Sequence, residues 1–175
     1  MRQAITYLLF VTVSITQTAW AADAPSFRFF PADQRVGKNV SAIDWSSAPD
    51  AKRFGTALRK AFAEGAKFAG HYALATWGCG SNCQVLAIID MQNGRVTFGP
   101  STELDYEFRL NSRLLIGNSP SAVHESLQDF GGCPENEDYW AVTSHYYEWT
   151  GTGFRHITDV NICAPLNKTP PSDHK

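Results

Sequence analysis

The sequence predicts an α+β domain: an antiparallel β-meander sheet with one amphipathic N-terminal helix and a second, short helix further on. Three observations predict it. Apolar residues recur at helical spacing in one clear stretch ahead of residue 65. From residue 71 onward, short β-prone runs alternate with Gly- and Asn-rich turns. A chain of 175 residues suits one sizeable core and needs no second domain.

Residues 1–21 read as a cleavable secretion signal. Met1-Arg2-Gln3 gives a positive start, residues 4–15 are mostly apolar, and Ala19 and Ala21 supply the small side chains that a signal peptidase reads. Twelve such residues fall short of the roughly 20 that a membrane-crossing helix needs, so no membrane attachment is expected after cleavage. The expected location is the periplasm or the exterior. Cleavage would remove only Arg2 from the 15 Lys and Arg that face 17 Asp and Glu, leaving a mature chain that is near neutral. No window concentrates basic residues as a phosphate-tracking surface would, so nucleic acid is not an expected partner.

Residues 22–163 form the expected globular domain. Residues 23–44, with Phe27, Phe29 and Phe30, read as an extended arm packed by its aromatics. Ser47-Ala48-Pro49-Asp50 reads as a helix start with Ser47 as N-cap. Phe54, Leu58 and Phe62 follow on one face, with Ala57 and Ala61, and Gly65 ends the helix. Strands are expected at 71–77, 83–90 and 95–98, turned at residues 78–82 and at Asn93-Gly94. A hairpin over 107–110 and 113–117 comes next, then a short helix within 119–130. Strands at 139–150 and 154–162 close the pattern around Gly151-Thr152-Gly153. Residues 164–175, rich in Pro and Lys, read as a disordered tail.

Four cysteines make an even count in a chain bound for an oxidising compartment, so two disulfides are the default. Of the three pairings, Cys79 with Cys83 and Cys133 with Cys163 are favoured, because the first pair flanks one tight loop and the second lies in the C-terminal third. A thiolate at Cys79 served by His71, His145 or His156 is the catalytic alternative. It competes with the bridge for the same sulfur, and Cys-Gly-Ser-Asn-Cys lacks the two-residue spacing of redox motifs. A metal site on Cys79, Cys83 and His71 is a further alternative that falls short of the usual ligand count. No cofactor motif is present.

The most distinctive stretch comprises Phe68-Ala69-Gly70-His71-Tyr72, Trp77-Gly78-Cys79-Gly80-Ser81-Asn82-Cys83, and Ile88-Ile89-Asp90 with Asn93-Gly94. It resembles a family of small exported bacterial proteins that carry Phe-Ala-Gly-His-Tyr, Trp-Gly-Cys-Gly-x-x-Cys and an Asp-x-x-x-Gly turn. The likeness runs from about residue 48 to 98, with weaker echoes at 112–116 and 146–157. It implies export and fold, and assigns no mechanism.

Candidate ligand-binding residues are His71, Tyr72, Trp77, Tyr146 and Trp149. Trp77, Trp140, Trp149, Tyr146 and Tyr147 could line a groove for sugar or peptide, although strand packing explains most such aromatics, and a buried, hydrogen-bonded histidine is the plain reading of His71. The acidic groups Glu103, Asp105, Glu107 and Glu135, Glu137, Asp138 fit solvated loops better than a catalytic pair. The expected function is a binding or interaction module of the cell envelope, with another envelope protein or a glycan as partner. A small cysteine- and histidine-dependent hydrolase or transferase is the alternative. Oligomeric state is not legible.

Overall fold

The computed structural model describes residues 24–33, 39–129, 131–134 and 142–164. The expected signal segment 1–21 lies outside these residues. So do the tail beyond 164, Trp140, and the acidic group Glu135, Glu137 and Asp138.

A 3-10 turn, Pro49–Phe54, runs into helix α1, Gly55–Glu64. Pro49 supplies a preset φ at the first position. Ser47 does not cap the helix: Ala48 holds that position, while the Ser47 hydroxyl donates to the Asp44 carbonyl at 2.6 Å and accepts the Val96 N–H at 3.0 Å. Ser47 thus ties the approach to the helix onto the sheet. Gly65 ends α1 at φ 85°, its N–H on the Ala61 and Phe62 carbonyls.

The strands are β1 Tyr72–Gly80, β2 Cys83–Asp90, β3 Val96–Phe98, β4 Tyr106–Phe108, β5 Leu114–Gly117, β6 Thr143–Trp149 and β7 Phe154–Asn161. Helix α2, Pro120–Asp129, sits between β5 and β6. Every strand pairing is antiparallel. The α+β antiparallel architecture stands, with one difference from the sequence reading. The strands form two sheets, β1-β2-β3 and β4-β5-β6-β7, instead of one.

Asn118 makes the break. It is fully buried at φ 48°, and its side-chain oxygen accepts from the Thr102 hydroxyl at 2.6 Å and from the Leu104 and Glu103 N–H groups at 2.8 and 3.1 Å. The chain still touches the first sheet at Thr102, bridged to Gln84. Anchored by Asn118 it then turns away, and the Asn118 amide donates to the Thr143 carbonyl of the second sheet at 3.1 Å.

Period-two alternation along β1 separates two cores. Ala73 and Ala75, with Ala87 and Ile89 of β2, pack beneath Leu58 and Ala61 of α1, the short side chains letting the helix lie close. Tyr72 and Leu74, with Leu86 and Ile88, face Tyr106, Leu115 and Trp149 of the second sheet. On the outer face of that sheet, Leu114, Ile116 and Tyr146 are covered by Phe27 and Phe30 of the N-terminal arm. The order is therefore helix, sheet, sheet, arm.

Both favoured disulfides form, with Cα separations of 5.2 Å for Cys79–Cys83 and 5.7 Å for Cys133–Cys163. Among the described residues no helix is long and apolar enough to cross a membrane.

Candidate functional site

The Phe-Ala-Gly-His-Tyr motif is a reversal of the chain. Ala69 and Gly70 take positive φ, 45° and 86°, so that Phe68 and Tyr72 exchange backbone hydrogen bonds of 3.0 Å in both directions. Gly70 admits no side chain, since a Cβ there would stand 2.5 Å from the Asp33 carbonyl oxygen. The reversal leaves His71 immediately ahead of β1, where its carbonyl accepts the Met91 N–H at 3.0 Å.

The Asp-x-x-x-Gly turn faces it. One Asp90 oxygen accepts the Gln92 N–H and the other accepts from the Asn93 amide, both at 2.8 Å. Gly94 closes the turn at φ 79° with its N–H on the Asp90 carbonyl at 2.7 Å. Asp90 thereby stands 3.7 Å from His71 Nε2, with the two side chains 16% and 13% exposed. The first and last segments of the sequence motif meet across one strand pair.

The second sheet supplies the opposite wall. Trp149, at the end of β6, meets Tyr72 edge-on at 5.2 Å between ring centres and 73° between planes. Its backbone N–H donates to the Arg113 carbonyl at 2.8 Å. The Arg113 guanidinium donates through Nε to the Pro31 carbonyl at 3.1 Å and through Nη1 to Glu148. Arg155 donates to the other oxygen of Glu148, whose side chain is 8% exposed. The Arg155 hydrogen bond leads in holding the Glu148 carboxyl below its ordinary value of 4.5; burial opposes it and the Arg113 charge assists.

Between the walls lies a cleft of about 550 Å³ at one end of the sheet pair, with Tyr72 and Trp149 at its floor and His71, Asp90, Asn93 and Arg113 around it. A lobe of about 320 Å³ continues it toward Arg95 and Thr97. This size is ordinary for small-ligand sites. Two buried nitrogens of lining residues, His71 Nδ1 and Trp149 Nε1, have no hydrogen-bond partner among the described residues, a condition that Trp77 Nε1 beneath the helix shares and that few native buried polar groups keep without a ligand or water.

Of the sequence-derived candidates, the structure brings His71, Tyr72 and Trp149 together and leaves the others elsewhere. Trp77 stacks on Phe54 at 4.4 Å beneath the helix. Tyr146 is buried in the outer core, and Tyr147 joins the core between the sheets with its ring 5.4 Å from His156. Cys79 and Cys83 sit bridged at the tip of the β1–β2 hairpin. Eight residues along an extended strand separate Cys79 from His71, about 26 Å, so the cysteine, His71 and His145 do not converge, nor do the two cysteines and His71.

His145 pairs instead with Asp159 at 2.8 Å and stands 4.0 Å from Glu103. His156 shares the same Asp159 oxygen, also at 2.8 Å. Burial pushes the Asp159 carboxyl up, and the hydrogen bonds from His156 and then His145 outweigh it, leaving the group below its ordinary value. Among the described residues no three His, Cys, Asp or Glu side chains gather as a metal site. Sequence reasoning missed Arg113, which no local pattern marks, and gave Asp90 a turn without a place in the site. In comparisons with known proteins, no family model matches the chain, and neither a curated protein nor a solved structure does.

Proposed function

We propose that this chain is an exported binding module of the cell envelope that holds a small polar ligand in the cleft between its two sheets. One observation carries the reading: polar and aromatic side chains from five separate segments converge on a single cleft, two of them with buried nitrogens lacking a partner among the described residues. A site of this shape suits an envelope glycan fragment or a short peptide better than the flat face of a folded protein. The bridged, distant Cys79 gives no support to thiol catalysis.

Titration of the ¹⁵N-labelled protein with soluble glycan fragments and short peptides tests this. Shifts confined to His71, the 90–94 turn and the Trp149 indole are expected, with the Cys79–Cys83 tip unmoved; shifts elsewhere, or none for any ligand, overturn it. Export has its own check. N-terminal sequencing of protein recovered from its native location is expected to begin at Ala22, and an intact Met1 start contradicts it.

A further inference from the structure

We infer that the ligand is zwitterionic, a free amino acid or short free peptide, whose carboxylate pairs with Arg113 and whose ammonium group pairs with Asp90. This rests on the reading of the cleft as a ligand site and names the chemical class that fills it.

Arg113 is positioned as an anion receptor. Nε is held by the Pro31 carbonyl and Nη1 by Glu148, which fixes the plane of the guanidinium, while Nη2 makes no hydrogen bond to the described residues. Glu148 cannot neutralise it alone, because the same carboxylate also serves Arg155; two cations on one anion leave one positive charge. Guanidinium matches carboxylate in planar, two-point geometry.

Asp90 is the complementary receptor. Its two bonded donors, the Gln92 N–H and the Asn93 amide, are neutral, and His71 Nε2 at 3.7 Å is beyond hydrogen-bond length. A carboxylate accepts about four hydrogen bonds, so capacity for an ammonium group remains. Arg113 and Asp90 thus place opposite charges on one lining. The balance disfavours a ligand of one sign, whereas a ligand with both offsets the desolvation of Arg113 and Asp90 together.

The aromatics argue against a sugar. A pyranose stacks on an open ring face, but Tyr72 and Trp149 are only 7% and 3% exposed and are turned edge-on to each other. They form an apolar floor rather than a stacking platform.

Calorimetric titration of the purified, disulfide-intact protein with four probes decides the matter: alanyl-alanine, its N-acetyl derivative, its C-terminal amide, and di-N-acetylchitobiose. Alanyl-alanine is expected to bind, with each capped form weaker by about tenfold or more, the loss of one charge-assisted contact. Arg113→Lys keeps the charge beside Glu148 and loses the fork; it is expected to weaken alanyl-alanine while leaving the amide unchanged. Equal affinity for the free and capped dipeptides overturns the zwitterion. Chitobiose binding at the cleft without dipeptide binding overturns it too, yet leaves the cleft as a ligand site. Failure of all four probes, together with an unresponsive cleft in the wider titration above, removes both readings.

Discussion

Glu148 binds two arginines through one carboxylate that is almost wholly withdrawn from water. Its folded-state value lies below the ordinary 4.5, so it stabilises the fold fully above the unfolded value, and the contribution is lost as pH falls through the lowered folded one. Asp159 acts with the same sign. Glu148→Gln is expected to cost about 1–3 kcal/mol at neutral pH and to flatten the acid limb of stability, read by urea unfolding at pH 7 and at pH 4. An unchanged acid limb would show that Glu148 is not the group responsible. Gly70 offers a second test at this scale. Adding a methyl group at φ 86° against the Asp33 carbonyl strains the reversal that places His71, and Gly70→Ala is expected to destabilise by about 1–3 kcal/mol, with the melting temperature as readout. The sequence marked Gly70, His71 and Asp90 as unusual because their constraints are local turns. Arg113 passed unnoticed because its partners, Pro31 and Glu148, lie far away in sequence.

At the scale of elements, α1 is held by burial on a floor of alanines. Leu58 is fully buried there, and Leu58→Ala is expected to cost about 2–4 kcal/mol, since the neighbouring short side chains can do little to fill the gap; chemical denaturation measures it. The two disulfides close loops of very different length, 4 and 30 residues of separation. Removing Cys133–Cys163 is expected to lower stability by about 3–4 kcal/mol and removing Cys79–Cys83 by about 2. Replacing Cys79 and Cys83 with Ser is also expected to leave ligand affinity in the cleft unchanged, because the hairpin tip lies at the far end of β1. A loss of binding in that variant would return the thiols to the functional site. The strands themselves were legible, because alternation and Gly- or Asn-bearing turns are short-range signals: β2 matches its expected bounds, and β7 ends one residue early. The division into two sheets was not. It depends on Asn118 reaching back 14 to 16 residues, and no turn signature distinguishes that asparagine from an ordinary loop residue.

For the molecule as a whole, the cleft exists because two sheets packed face to face leave their ends open on one side, where the 90–94 turn, the reversal at 68–72 and the close of β6 come together. The motifs located one wall. The other wall, Trp149 and Arg113, required the packing of one sheet on the other. Tyr72 and Trp149 belong both to that packing and to the floor of the cleft. Occupying the cleft is therefore expected to tighten the join between the sheets. A bound molecule should slow hydrogen exchange across both of them and raise the temperature at which they part, and tryptophan emission should change on its arrival in the intact protein but not in Trp149→Phe.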